Sequence, residues 1–327
     1  MEKSELVLPG TDAMISEIPN LLGFVPAESL VLIGFADLGT RSAMRFTLRI
    51  DLPDPEHRSP AARYLLGFAE TRQIDAALAV IVGGSRSEQR ELVNELRSEF
   101  DKHEITVHAI WTAALHTGES WYCYQDSGCR GSVYDTSESQ LAAMATVEGF
   151  RRWGSREEMV ASIAPVPDED RQVLADGVRA WRALPESAPG SLREATAPVF
   201  AALEQLRGGE ALSTDQAVAA LGALGYPLVR DLMLARREPG AEQLWTILLR
   251  HAPDAEVEAP AVLLATAAHL NGDGVLARIA LDRALEAVAP QPPSNVVRML
   301  EEILVREPAH LREILDDVAG DPDLRLD

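Results

Sequence analysis

The chain has 327 residues, 46% of them apolar, which is enough for two domains with cores of their own and excludes disorder as the leading reading. Thirty basic residues against fifty-one acidic ones leave a net charge of −21. A surface that negative repels phosphate backbones and anionic lipid headgroups, so neither nucleic acid nor a membrane is an expected partner.

The start lacks the long apolar core of a signal peptide, and no apolar run approaches the ~18 residues of a membrane span, so a cytoplasmic protein is expected. In that compartment two cysteines read as reduced thiols, and two alone make no zinc framework. After the opening residues, Thr11 is placed to cap a helix carrying Met14, Ile15, Ile18 and Leu21, with Gly23 closing it. Pro26 turns the chain. Ser29 to Phe35 is a continuous apolar run, as in a strand covered on both faces. Asp37 to Thr40 carries turn chemistry, and Arg41 to Ile50 alternates, with Met44, Phe46, Leu48 and Ile50 on one face. The two segments predict an antiparallel hairpin.

Asp51 to Pro60 is polar and proline-rich; Ala61 to Thr71 is helical and leads to an apolar strand over Ile74 to Val82. Gly83-Gly84-Ser85 follows at once. Ser85 with Glu88 has the spacing of a capping box, which predicts a helix over Ser87 to His103. The next strand, Ile105 to Trp111, sets Val107, Ala109 and Trp111 against Thr106, His108 and Ile110. This order predicts an α/β domain, a mixed sheet with flanking helices and at least one parallel connection.

Gly118 to Asp135 concentrates both cysteines, three of the five tyrosines and Trp121. Ser120 to Tyr124 reads as a last strand, Asp126-Ser127-Gly128 as a turn, and Val133-Tyr134 as the return. Thr136 or Ser137 is placed to cap the following helix, with Leu141, Met144, Ala145 and Val147. Ser155 to Arg182 is helical and charged, broken at Ala164-Pro165-Val166-Pro167, the expected hinge; Leu184 to Ser191 is a second candidate boundary. From Ser191 helices are separated by Gly208-Gly209, Gly225-Tyr226-Pro227, Pro239-Gly240, Pro253, Asn271 to Gly274 and Pro290 to Pro293. In Ala259 to Val288 the small Ala265, Ala268 and Ala280 permit close helix contact, and Leu263, Leu264, Ile279, Leu281 and Leu285 fill the seam. That unit resembles a tetratricopeptide-type (TPR-like) hairpin, although one unit does not make a solenoid. The expected organisation is an α/β domain over 1–165, a connecting helix over 166–190 and an all-α helical-hairpin domain over 191–327.

Gly83-Gly84-Ser85 is the foremost ligand candidate, because backbone N–H groups of a glycine turn beside a helix N-terminus hold an anion without a basic side chain. It matches neither dinucleotide nor P-loop spacing, and a plain strand-to-helix turn needs glycine as well. A site at the strands' carboxyl edge is expected to be bordered by Gly34, Gly83, Gly84 and Ser85, with Trp121, Asp126 and Cys129 contributed by the aromatic turn. Cys123 and Cys129 are spaced for a disulfide or for two of a metal's ligands, with His108 or His116 as distant additions. Structural thiols are the simpler reading, and no metal or cofactor is assigned. A Cys129–His116 couple lacks a third, orienting residue. Trp121, Tyr122, Tyr124 and Tyr134 read as apolar filling between the last strands and a helix.

The segments LGFVPAESLVLIGF, RFTLRIDLP, WYCYQDSGC and VLLATAAHLNGDGVLARIALDRAL, in that order, resemble the actinobacterial proteins grouped as the domain of unknown function DUF4192. Trp121, Asp126 and Cys129 fit that family's pattern, while Arg130 stands where a second, adjacent cysteine is expected. The resemblance implies lineage and fold and carries no activity. The leading expectation is therefore a non-enzymatic protein–protein interaction or adaptor module with a basic partner. The alternative is a small-molecule-binding or hydrolytic enzyme at the sheet's carboxyl edge.

Overall fold

The structure, a computed structural model, describes residues 10–37, 42–147, 153–184, 190–306, 311–324 and 326. Residues 38–41 of the expected turn and second strand, and 185–189 of the second candidate boundary, lie outside the described residues. The chain divides into two compact units, Met1–Glu158 and Met159–Asp327.

The first unit is built on a six-stranded sheet of β1 (Ser29–Asp37), β2 (Ser42–Asp51), β3 (Ala76–Val82), β4 (Thr106–Thr112), β5 (Ser120–Cys123) and β6 (Arg130–Ser132), in the order β2-β1-β3-β4-β5-β6. β1 and β2 form the expected hairpin. Leu30 to Ile33 of β1 are fully buried on both faces, which is why that segment reads as continuously apolar. β1 also pairs antiparallel with β3, across α3 (Arg58–Glu70), whereas β3 and β4 are parallel, joined by the crossover helix α4 (Arg90–Asp101). Period-two alternation then sorts the side chains. Leu30, Leu32, Ala79, Ile81, Val107 and Ala109 pack against Leu65, Leu92, Leu96 and Phe100 of α3 and α4, with Phe46, Leu48 and Ile50 of β2 joining them. At ~25 cal/mol per Å² of apolar area, this layer supplies the main driving force of the unit.

The other face meets the N-terminal helices. The single expected helix is two short ones, α1 (Thr11–Ser16) and α2 (Ile18–Leu22). Gly10, not Thr11, occupies the cap position and no side chain caps it; Gly23 ends α2 in the left-handed conformation at φ 77°. The break at Glu17 advances the buried stripe, so Leu22 rather than Leu21 is buried with Ile15 and Ile18. α3 begins three residues before the expected start, with Pro60 in its first turn, where a missing N–H costs nothing. In α5 (Gln140–Val147) the capping hydroxyl belongs to Ser139, which accepts from Ala142 N–H at 3.1 Å. Thr136 is unavailable, because its hydroxyl donates to Ser16 O at 3.3 Å.

The second unit is helical among the described residues: α6 (Arg156–Ser162, which straddles the boundary), α7 (Asp168–Arg182), α8 (Leu192–Arg207), α9 (Thr214–Leu224), α10 (Pro227–Arg236), α11 (Ala241–His251), α12 (Glu258–Asn271), α13 (Gly274–Val288), α14 (Asn295–Arg306) and α15 (Leu311–Ala319). Each expected breaker ends a helix. Ser213 and Gln216 form a reciprocal capping box at α9, and Asp273 caps α13 by accepting from Leu276 N–H at 2.8 Å. α12 and α13 pack as an antiparallel pair in which Leu263, Leu264, Ala265, Ala268, Ile279, Ala280 and Leu281 are buried and Leu285 is half-buried. The Ala164–Pro167 segment is fastened within this unit, by Val166 N–H to Arg250 O at 2.9 Å and Arg250 Nε to Ala164 O at 3.3 Å. No single helix among the described residues is long and apolar enough to cross a membrane.

Candidate functional site

The glycine turn after β3 is the first candidate. Gly83 and Gly84 both have positive φ, 91° and 58°, and turn the chain off the sheet. Their concavity is already occupied from within the chain, because Glu28 Oε1 accepts the Gly84 N–H at 3.2 Å and lies 2.3 Å from where a Cβ on Gly83 would stand. Glu28 itself has φ 41°, a left-handed backbone that costs a non-glycine residue of order 1 kcal/mol and points to a fixed role. Of the N–H groups expected to receive a ligand's anion, that of Gly84 holds the protein's own carboxylate and that of Gly83 donates to Thr112 O at 3.0 Å. Ser85 Oγ accepts from Glu88 N–H at 3.3 Å, but a turn intervenes and α4 starts at Arg90 instead of Ser87.

Gly34 is not a neighbour of this turn. β1 runs antiparallel to β3, and the register sets Gly34 beside Ala77 and Ser29 beside Val82. Gly34 therefore sits six residues, roughly 20 Å, down the sheet from Gly83. Its role is steric: a Cβ there would lie 2.4 Å from the Phe46 ring.

The aromatic strand serves two faces. Tyr122 and Tyr124 look toward α4. Trp111 stacks on Tyr122 with centroids 6.2 Å apart and donates its indole N–H to Gly83 O at 3.0 Å. The Arg86 guanidinium lies 5.5 Å and 5.6 Å from the Tyr122 and Tyr124 centroids and donates to Cys123 O at 2.6 Å. The Tyr124 hydroxyl donates to Arg86 O at 3.1 Å. Burial pushes the Tyr124 phenol up to about 12 against the pull of Arg86 and Arg90, so it stays protonated at neutral pH and is no general base.

Trp121 and Cys123 face the opposite side, and both are buried. Trp121 donates its indole N–H to Asp12 Oδ1 at 2.8 Å. Gly131 makes room for that pair, since a Cβ there would stand 2.0 Å from Asp12 Oδ1. Asp12 in turn raises the Tyr134 phenol. Trp121 is structural filling, with no open face for a ligand. Asp126 and Cys129 lie at the other end of β5, where Gly128 N–H donates to Asp126 Oδ1 at 2.8 Å. Burial, then a hydrogen bond with Cys123 and the nearby Asp126 and Asp12, push the Cys129 thiol up. That is the opposite of an activated nucleophile, and no histidine is among the groups acting on it.

The predicted site residues therefore fall in three places. Gly83, Gly84, Ser85 and, on the buried face, Trp121 share the carboxyl edge; Asp126 and Cys129 are at the hairpin tip; Gly34 is at the far end of β1. Sequence reasoning missed Glu28 and Arg86. No local motif marks either one. Alternation alone predicts the face of Trp111, which packs with Val107 and Ala109. Among the described residues no group of three or more His, Cys, Asp and Glu side chains is arranged to hold a metal ion.

In the second unit α10, α12, α14 and α15 enclose a cavity of about 350 Å³, lined by Leu228, Leu234, Val262, Met299, Leu300, Ile314, Leu315 and Val318, with Arg230, Asp231, Asn295 and Asp321 among its polar groups. Leu228 and Met299 remain 49% and 45% exposed, so the apolar lining reaches the surface. Arg230 is neutralised by Asp231, at 2.7 Å.

A mixed α/β unit followed by a unit of packed helices, the latter carrying an apolar groove, defines the class of protein. The chain belongs to the family described as domain of unknown function (DUF4192), whose model matches residues 12–306. Comparison with curated proteins and with solved structures found no match.

Proposed function

We propose that the protein is a cytoplasmic, non-enzymatic interaction module whose helical unit receives an amphipathic helix from a basic protein partner. The groove between α10, α12, α14 and α15 carries this reading. It offers apolar side chains from four helices, with half-exposed Leu228 and Met299 on it, the surface that a helix-in-groove partner needs for anchors at i, i+3, i+4 and i+7. Asp321 belongs to it, α15 carries Asp317 as well, and the chain's charge of −21 favours lysines and arginines on the partner's polar face. The carboxyl edge of the sheet supports the enzymatic alternative poorly, because Glu28 fills the glycine turn and the perturbed phenol of Tyr124 is held out of acid–base range.

The test places a photoreactive benzoylphenylalanine at Met299 in native cells and maps the adduct. A protein adduct whose cross-linked peptide is an amphipathic helix bearing Lys or Arg is expected, and Leu228→Asp should abolish it with unchanged circular dichroism. Adducts confined to small metabolites, or to acidic or unstructured peptides, would overturn the reading.

A further inference from the structure

Cys123 and Cys129 are both free thiols, one buried and one partly exposed. The β5–β6 register pairs Trp121 with Gly131 and Tyr122 with Arg130. The next rung is therefore Cys123 opposite Cys129, closed by Cys123 N–H to Cys129 O at 3.0 Å. The Cys123 thiol donates to Gln125 Oε1 at 3.3 Å. The five residues between them form an anchored cap: Gln125 accepts from Ala109 N–H at 3.2 Å and donates to Val107 O at 2.9 Å.

Residues opposed at a hydrogen-bonded rung have Cα atoms ~5.5 Å apart, inside the span of a disulfide. Their Cβ atoms stand roughly 5.5 Å apart, against ~3.5–4.5 Å in a disulfide, so closing the bond draws the strands together by about 1 Å. A bond made that way is more readily reduced than a relaxed one.

We propose that Cys123 and Cys129 form a reversible intrachain disulfide, made by a low-molecular-weight disulfide of the glutathione class and undone by the corresponding thiol. The Cys129 thiolate attacks the oxidant's S–S bond, giving a mixed disulfide and expelling one small thiolate. Cys123, on losing its proton, attacks the Cys129 sulfur and expels the second. Two protein thiols lose two electrons and two protons, and one small disulfide becomes two thiols. The raised Cys129 thiol makes the first step slow at neutral pH and faster in alkali. Cys123 O is also the acceptor for Arg86, so pinching this rung acts on the turn that follows β3.

Both cysteines fall in one tryptic peptide, since no Lys or Arg lies between Lys102 and Arg130. The full chain is incubated with oxidised glutathione near neutral pH and about 1.5 pH units higher, then alkylated, digested and weighed. The expected product is that peptide lighter by two hydrogens and unalkylated, formed several-fold faster at the higher pH and reopened by reduced glutathione. Cys123→Ser should stop at a Cys129–glutathione adduct, and Cys129→Ser should stay unmodified, each with native circular dichroism. A persistent adduct in the wild-type chain, linked dimers, two alkylated thiols, or a bond that resists reduced glutathione would overturn the proposal.

Discussion

Glu28 Oε1 accepts the backbone N–H of Gly84 at 3.2 Å, joining the residue before β1 to the turn after β3. Because the same oxygen would collide with a Cβ on Gly83, the glycine there serves a carboxylate of the chain itself. Glu28→Ala removes one hydrogen bond and should cost about 1 kcal/mol, read as a lower urea midpoint at unchanged slope. Inorganic phosphate at millimolar concentration should raise the melting temperature of this variant and leave the wild type unmoved, because only the variant frees the Gly84 N–H, the Gly83 N–H being bonded to Thr112 O in both.

Gly34→Ala should destabilise by about 1–3 kcal/mol, the range for overpacking a filled core. The added methyl meets the Phe46 ring at 2.4 Å, and that ring is held edge-on against Phe68 with centroids 5.0 Å apart. Phe46→Leu in the Gly34→Ala background should recover part of the loss. A double-mutant cycle measures that coupling.

Asp273 gives the pH dependence. Burial, reinforced by Glu242, raises its carboxyl to about 6 against the opposing Leu276 and Val275 amides. The folded state therefore holds this proton more tightly than the unfolded chain, whose aspartate titrates near 3.9. The stabilisation is present below pH ~3.9 and is lost as pH rises through about 6. Asp273→Asn keeps an oxygen acceptor for Leu276 and has no charge to desolvate, so it should gain about 1–2 kcal/mol above pH 7 and nothing near pH 4. Asp273→Ala should instead lose about 1 kcal/mol in the acid range, where the cap is the larger effect. Thermal unfolding across pH 4–8 checks both.

Elements governed by short-range chemistry were readable in the sequence. The alternation of Phe46, Leu48 and Ile50 predicts β2 and its inward face, whereas Met44, beyond the register shift at Gly34–Phe35, is exposed instead of inward; the breakers Gly208-Gly209, Pro239-Gly240 and Asn271 to Gly274 end α8, α10 and α12 where expected. Strand neighbours were not readable. α3 joins β2 to β3, which run in the same direction, but β3 is seated beside β1 and antiparallel to it, which carries Gly34 away from Gly83. The partner of the glycine turn, Glu28, is distant in sequence and carries no motif. Tyr122 and Trp121 are separated by the pleat: alternation implied opposite faces, but their shared aromatic character suggested a common layer. The groove of the helical unit draws on residues from Leu228 to Leu324, and no window of sequence contains it.

The Arg250 clasp on Ala164 and Val166 governs how the helical half can be excised for study. A fragment opening at Asp168 would forfeit the Val166 donor and the Ala164 acceptor together, leaving the carboxyl end of α11 with a bare carbonyl and a loose guanidinium. A cut placed ahead of Met159 keeps that fastening, so the shorter fragment should be the one that frays at Arg250 first.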